Sequence, residues 1–322
     1  MLLTLTARSL ASRLNARGAR ALLVSDLPRF VFQQTTLRGL ALDTALFKGW
    51  GLDDLETLRV QADQAGCPCL LLRESYAVSS GQSSGAGFEK AMQRVQLVAR
   101  AAHRLGCNAL SLQPDCAGKE ANDRTFDHHV GFYRHVVERV DRLELNVLVE
   151  PATGWLGEPN WLIELVKKVG GFRIGTLPTF EAACRTPDCV AALRQTAPYA
   201  GAVLGSFGDN DVPEVPAESE LPQADEPPAD KPAKKMMKKK KTAGKSPSRS
   251  ATATATRTSK KTTRRPKVKA ESAAPSRFVE CVAALRAVGY EQILALDYLG
   301  SRDSVAAINA ARARIEALLG AT

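Results

Sequence analysis

The chain has 322 residues, of which 44% are hydrophobic and 24% charged, a composition ordinary for a globular protein. No stretch approaches about 18 uninterrupted apolar residues, which excludes a membrane-spanning helix. Cys67 and Cys69 are two residues apart, and Cys184 and Cys189 are five apart. Neither spacing matches a zinc site or a redox pair, so we expect reduced thiols, packed as small hydrophobic side chains, in a cytoplasmic protein.

The net charge of +10 originates in one segment of the chain. Residues 231–270 hold twelve Lys and four Arg without an acidic residue, whereas residues 209–230 hold eight acidic residues without a basic one. Residues 209–276 also contain no aromatic residue and many prolines. Such a segment cannot bury enough apolar surface to offset the entropy of ordering. We therefore predict a disordered insertion, acidic and then basic.

The remaining residues, 1–208 and 277–322, alternate short apolar runs with amphipathic helical patterns. Runs typical of buried parallel strands are residues 2–6, 39–43, 69–72, 109–112, 146–150, 172–177, 201–206 and 293–297. Helical patterns lie at residues 53–65, 87–105, 126–143, 159–169, 277–288 and 304–319. Eight strands with helices between them, in roughly 250 residues, predict a (β/α)8 TIM barrel. The insertion falls between strand seven and helix seven, on the face that carries the active site in such barrels.

The amino-terminal segment allows two interpretations. Residues 1–25 carry Arg8, Arg13, Arg17 and Arg20 and no acidic residue, a composition typical of a mitochondrial transit peptide. Alternatively, residues 2–6 form the first strand of the barrel. We favour the second interpretation because the barrel would not close without that strand.

Three runs of sequence resemble the xylose isomerase-like TIM barrels, the sugar phosphate isomerase and epimerase group. They are NVLVEPATGWLGEPNWLIELVKKVGGFRIGTLPTF at 146–180, GYEQILALDYLG at 289–300 and, more loosely, LDTALFKGWGLDDLETLRVQADQAGCPCLLL at 42–72. In that family, Glu, Asp, His and Glu at the ends of strands five to eight hold a divalent metal, and the two Glu move a proton. The resemblance therefore implies a barrel related to sugar isomerases and epimerases.

Carried onto this sequence, the four ligand positions fall on Glu150, Thr179, Leu204 and Asp297. Only Glu150 and Asp297 keep a carboxylate, so these two are the candidate catalytic residues and the candidate ligands for Mg²⁺, Mn²⁺ or Zn²⁺. With two of four ligands missing, the resemblance implies catalysis that is weakened or lost. The alternative is that both carboxylates are polar groups at the wet mouth of the barrel, bonded to Arg73.

Further polar residues follow the predicted strands and favour a pocket for a sugar-like ligand. With Thr179 they are Asp43, Arg73, Glu74, Gln113 and Asp115. An acid or amide converging on Glu150, such as Asp209 or Gln113, would rebuild the site. All four histidines (His103, His128, His129 and His135) lie in or near predicted helices. The AP endonuclease branch of the same superfamily needs several histidines at the barrel mouth, so we exclude abasic-site cleavage.

The basic residues 231–270 resemble the lysine-, alanine- and proline-rich tails of linker histones. Sixteen positive charges predict non-specific, salt-dependent binding to nucleic acid or another polyanion. Base stacking is not expected, since no aromatic residue is interleaved. The segment could equally be a solvated linker without a partner. A non-catalytic scaffold, tethered to a polyanion by this segment, is thus the alternative to the sugar-binding function.

Overall fold

Eight parallel strands form the centre of the molecule, whose computed structural model describes residues 1–18, 21–78, 85–116, 122–211 and 278–320. The strands are β1 (Leu2–Thr6), β2 (Leu40–Asp43), β3 (Cys69–Arg73), β4 (Ala109–Leu112), β5 (Asn146–Val149), β6 (Ile174–Thr176), β7 (Ala202–Phe207) and β8 (Ile293–Tyr298). They are hydrogen-bonded in the order β6-β5-β4-β3-β2-β1-β8-β7. Parallel bridges between Thr176 and Ala200 and between Thr179 and Leu204 join the two end strands. The sheet is therefore a closed barrel.

Every strand is followed by at least one helix. The helices are α1 (Ala11–Leu14), α2 (Leu27–Thr35), α3 (Leu52–Gln64), α4 (Ala86–Arg104), α5 (Asp123–Val140), α6 (Pro159–Val169), α7 (Phe180–Cys184), α8 (Cys189–Thr196), α9 (Phe278–Ala287) and α10 (Ser304–Gly320). Pro159 opens α6, where its missing N–H leaves no hydrogen bond unmade. Among the described helices, none combines the length and hydropathy that a membrane span requires.

The predicted TIM barrel is confirmed, and most strand bounds agree with the structure within one or two residues. Residues Leu2–Thr6 form β1, which pairs with β2 and β8, as the second interpretation of the amino terminus required. The sequence patterns missed α2, α7 and α8, which have five to nine residues. Helices of about one and a half to two and a half turns are too short for a clear amphipathic period.

Apolar side chains form two layers, one inside the barrel and one between the strands and the helices. The interior cluster consists of Ala41, Leu71, Ala109, Leu148, Leu177, Ala202, Leu204 and Ala295. The outer cluster is larger and contains the alternate strand residues, such as Leu72, Val149 and Leu296, together with the buried faces of the helices. This division follows from the two-residue period of a strand, which directs neighbouring side chains to opposite faces.

The chain leaves the barrel after β7 and returns at α9, so the insertion lies where the sequence predicted it. Residues 212–277 lie outside the described part of the chain, as does nearly all of the segment predicted to be disordered. The predicted boundary at residue 209 is early, since Asp209 and Asp211 make defined contacts at the end of β7. Phe278, the first residue of α9, packs its ring 5.8 Å from that of Phe180 and 5.1 Å from that of Phe207.

Candidate active site at the barrel mouth

A ring of polar side chains lies directly above the interior apolar layer. Most members stand two residues after an apolar interior residue of the same strand, so the period of the strand directs them into the barrel as well. Glu150 directly follows β5, and Thr179 lies three residues beyond β6. The members are Asp43, Arg73, Ser111, Glu150, Thr179, Ser206 and Asp297. They lie at the carboxyl ends of the strands, which is where barrels of this kind place their active sites.

Glu150 is held by a bidentate ion pair with Arg73. The Nε and Nη2 atoms of Arg73 donate to the two carboxylate oxygens of Glu150 at 3.1 and 2.8 Å. The Ser111 hydroxyl donates a further hydrogen bond to Glu150 at 2.6 Å, and Arg73 Nη1 donates to Asp43 at 3.3 Å. Both members of the pair are buried, since the Arg73 side chain is 12% exposed and that of Glu150 is 6% exposed. Glu150 therefore has its negative charge matched by a guanidinium in fork geometry.

Asp297 is the centre of a second arginine–carboxylate pair. Its Oδ1 atom accepts hydrogen bonds from the Thr6 hydroxyl at 2.7 Å and from Arg8 Nε at 3.1 Å. Its Oδ2 atom contacts Arg8 Nη2 and accepts a hydrogen bond from the Ser206 hydroxyl at 3.3 Å. The Asp297 side chain has no exposed surface, whereas that of Arg8 is 41% exposed and reaches the pocket. All oxygen atoms of this carboxylate are thus satisfied within the protein.

The electrostatics of the mouth keep both arginines charged. Burial opposes the positive charge of Arg8 and Arg73, but Asp297 and Glu150 outweigh this effect and raise the pKa of each guanidinium. Burial raises the pKa of Asp43, and the charge of Arg73 offsets this only in part. Because an arginine already keeps its proton at any ordinary pH, these two cations cannot be removed by titration.

A pocket of about 530 Å³ opens above this ring. Asn15, Gln113 and Thr179 add polar atoms to its wall, and Leu46 and Leu204 add apolar surface. This volume falls in the range of small-molecule sites, and the mixture of apolar wall and few polar groups is typical of them. The mouth can therefore accept a small molecule that makes several hydrogen bonds.

The sequence-predicted pocket residues are brought together only in part. Gln113 lines the pocket and donates to the Pro151 carbonyl at 3.0 Å, and the Thr179 hydroxyl accepts from the Ala182 amide at 2.9 Å as the cap of α7. Glu74 lies at the edge, where Arg94 binds its carboxylate at 2.8 and 3.0 Å. It follows Arg73 directly, so the strand period turns it away from the interior. Asp115 does not line this pocket.

Asp209 does not converge on Glu150 to rebuild the site. Its carboxylate accepts hydrogen bonds from the Ser301 amide at 2.9 Å and the Ser301 hydroxyl at 2.8 Å, from the Arg302 amide at 3.3 Å, and from the Tyr298 hydroxyl. The Tyr298 bond, with these others, lowers the pKa of Asp209. Asp209 therefore joins the end of β7 to the loop after β8.

The residues at the mouth do not fit the divalent metal that the resemblance implies. Thr179 and Leu204 stand at two of the four ligand positions, and Leu204 is buried in the interior apolar layer. The two remaining carboxylates, Glu150 and Asp297, are each bound to an arginine. A divalent ion would have to displace these guanidinium groups, which carry the positive charge that the metal would otherwise supply.

A second cavity, of about 740 Å³, lies at the opposite end of the barrel. It is lined by residues that precede or begin strands, among them Asn108, Asn146 and Arg173. The loops at that end of a β/α barrel support stability more than chemistry. We therefore place the candidate site at the mouth.

Sequence reasoning missed several residues of the site. Thr6 and Arg8 lie on and just after β1, and Ser111 and Ser206 lie inside or at the end of strands. Extending the two-residue interior period of each strand to its end would have identified Ser111 and Ser206. Arg8 carries no such signal, because it lies beyond β1 in a 3-10 turn.

Solved structures of low sequence identity share this fold. A 3-keto-D-glucoside 4-epimerase from E. coli gives a TM-score of 0.62 at 10% identity, over 98% of this chain and 99% of that one. A D-psicose 3-epimerase with D-tagatose, from Clostridium cellulolyticum, gives 0.61 at 11% identity over 99% and 97%. A probable 3-DHS dehydratase from Bacillus anthracis gives 0.60 at 12% identity over 100% of both chains. No protein-family model and no curated protein sequence matches the chain.

The chain therefore shares the TIM-barrel fold of sugar epimerases and of a xylose isomerase domain-containing protein from Salmonella typhimurium. The resemblance stated from the sequence is confirmed at the level of fold. The mouth of this barrel holds two arginine–carboxylate pairs at the positions where the resemblance implies a metal.

Proposed function

We propose that the barrel binds a hydroxylated, sugar-like small molecule at its mouth and no longer performs metal-dependent isomerisation. The observation that carries this proposal is the pairing of Glu150 with Arg73 and of Asp297 with Arg8. A carboxylate bound in this way is neither a free metal ligand nor a free base for proton transfer. The pocket above the pairs nevertheless retains hydrogen-bonding groups.

Asp43 is the group best suited to bind a ligand hydroxyl. Its side chain is 19% exposed at the pocket, and Arg73 occupies only its Oδ1 atom. Its Oδ2 atom can accept a hydrogen bond from a hydroxyl, while the exposed edge of Arg8 can donate one. A sugar-like ligand presents both donors and acceptors, so it matches this pair of groups. The sugar epimerases among the structures of the same fold support the same ligand class.

Ligand binding can be tested on the full chain with D-fructose, D-tagatose, D-psicose and their phosphates. We expect at least one of them to raise the thermal unfolding temperature. We expect Asp43→Asn to weaken its binding by about tenfold, measured by calorimetric titration, since a hydrogen bond to a charged group is lost. The control is Asp53→Asn, an exposed residue in the first turn of α3, which should bind as the unmodified chain does.

The same preparation tests the loss of metal chemistry. Titrated with Mn²⁺, a hard ion that prefers oxygen ligands, the chain should show no one-to-one binding at micromolar concentrations. Incubated with the bound sugar and Mn²⁺, it should form no isomer or epimer detectable by NMR. Micromolar Mn²⁺ binding that disappears in Glu150→Gln, or turnover that does so, would contradict the proposal.

A second candidate function rests on the sequence alone. The sixteen basic residues in 231–270 favour a polyanion partner. Polyanion binding is compatible with sugar binding at the mouth, and it can be tested separately by DNA binding.

A further inference from the structure

Three cysteines meet on the outer ring of helices. The Sγ atom of Cys189 lies 2.8 Å from that of Cys184 and 3.1 Å from that of Cys281, and Cys184 and Cys281 are 4.0 Å apart. All three distances exceed the roughly 2.05 Å of a disulfide. Sequence reasoning treated the cysteines as isolated, because Cys281 is 92 residues from Cys189 and lies beyond the insertion.

Local structure explains why these sulfur atoms converge. Cys184 ends α7, and a four-residue turn leads to Cys189, the first residue of α8. The Asp188 side chain caps α8 by accepting from the Ala191 amide at 2.9 Å. Cys281 lies in the first turn of α9, which packs beside α8. Two of the sulfurs therefore stand in the first turns of neighbouring helices. The hydrogen bond with Cys189 and burial raise the pKa of Cys281, so the bound ion itself would have to displace the thiol proton.

The arrangement suits a metal ion better than a disulfide. A disulfide joins two of three sulfurs and leaves the third in contact with it, where thiol exchange would attack the bond. A metal with metal–sulfur bonds of about 2.3 Å spaces its sulfur ligands roughly 3.7 to 4.0 Å apart. The Cys184–Cys281 distance already lies in this range, and side-chain rotation would have to open the other two by about 0.6 to 1.2 Å.

We propose that Cys184, Cys189 and Cys281 form a binding site for one thiophilic metal ion of the Zn²⁺ or Cu(I) class. Three thiolates select soft ions over Mg²⁺ or Mn²⁺. No His, Asp or Glu of the described residues joins the three cysteines in the cluster, so a fourth position is left to water or remains empty. Cys184 is exposed and gives the ion a path to the site, and the thiol protons pass to solvent on binding.

The bound ion would join parts of the chain that are separate in sequence. Cys184 and Cys189 precede the insertion, whereas Cys281 follows it. The site would therefore fasten α9 to α7 and α8 at the point where the chain re-enters the barrel. This role is independent of any ligand at the mouth.

The test uses the full chain, reduced and freed of metal under anaerobic conditions. Titration with Co²⁺ should give a thiolate charge-transfer band that saturates at one ion per chain, and Zn²⁺ should abolish it. A separate arm measures Cu(I) by competition with a coloured chelator. Alkylation of Cys184 by iodoacetamide, followed by mass spectrometry, should slow when Zn²⁺ is present; this readout needs no variant.

Matched cysteine variants locate the site. Cys184→Ser, at an exposed position, should retain the native circular dichroism and lose about tenfold or more in Co²⁺ affinity. Cys107→Ala, at a buried position outside the cluster, should bind Co²⁺ as the unmodified chain does. The proposal is overturned if the reduced chain binds neither Co²⁺ nor Cu(I) and Zn²⁺ does not protect Cys184. A disulfide between any two of the three cysteines in the isolated protein, found by peptide mapping, would also overturn it.

Discussion

At the scale of single residues, the barrel mouth is defined by ion pairs between arginines and carboxylates. Arg73 lies within hydrogen-bond distance of both Glu150 and Asp43, and Arg8 binds Asp297, so each buried carboxylate has a cationic neighbour. Placing such groups out of water is costly unless they remain paired and hydrogen-bonded. Removal of one partner should therefore cost more stability than removal of both.

We expect Arg73→Met to lower the free energy of unfolding by about 3 kcal/mol, because it leaves Glu150 buried without its counterion. Adding Glu150→Gln should recover part of this loss, since the uncompensated charge is removed. Urea unfolding of the two single variants and the double variant measures the coupling.

Arg59→Met is the matched control, because Arg59 forms only exposed pairs with Glu56 and Asp63 on α3. It should change the stability by no more than about 0.5 kcal/mol. Equal losses from Arg73→Met and Arg59→Met would mean that the buried pair stabilises the fold no more than an exposed pair does.

At the scale of elements, the closure between β6 and β7 depends on close backbone approach. Gly175 in β6 faces the segment before β7, and a Cβ atom there would lie 2.8 Å from the Tyr199 carbonyl oxygen. Next to it, the Gly201 amide donates to the Thr176 carbonyl at 3.2 Å. Only glycine leaves room for this approach, because the backbone carbonyl of Tyr199 cannot easily move away from an added Cβ atom.

Gly175→Ala should therefore destabilise the barrel by about 1 to 3 kcal/mol through overpacking. The control is Gly131→Ala within α5, where no atom lies within 4 Å of the added Cβ. That change should stabilise the helix by up to about 1 kcal/mol. The thermal unfolding temperatures of both variants test this prediction. An unfolding temperature that Gly175→Ala leaves unchanged would show that β6 and β7 can separate without a loss of stability.

The elements also show what the sequence could and could not predict. Short apolar runs marked the strands, and long amphipathic periods marked the helices α3 to α6. The short helices α7 and α8 carry too few turns for a period, and the interruption at Pro187 hides them further. Glu150 and Asp297 were predicted as site residues from the resemblance to the xylose isomerase-like barrels, but the partnership of Asp297 with Arg8 depends on tertiary contact between residues 289 positions apart. The cysteine cluster was missed for the same reason.

At the scale of the whole molecule, the charged insertion differs from the barrel in amino-acid composition. The basic residues 231–270 lie outside the described part of the chain. The sequence predicts binding driven by counterion release, with an affinity that falls steeply as salt concentration rises.

We expect the full chain to bind short duplex DNA at low salt, measured by fluorescence anisotropy, and a variant lacking residues 231–270 to lose this binding. Both should unfold at the same temperature and bind the same sugar. A variant lacking only residues 212–230 is the control and should bind DNA at least as well, because acidic residues are removed. DNA binding that survives loss of 231–270 would reject the polyanion function.

The position of β8 has a consequence for the synthesis of the chain. β8 pairs with both β1 and β7, so these two strands each keep an unpaired edge until the residues after the insertion have been made. At roughly 5 to 20 residues per second, the 66 residues from 212 to 277 add about 3 to 13 seconds to this interval. Unpaired edges are templates for aggregation. Each newly made chain therefore passes through a period of seconds in which its barrel is open at both edges.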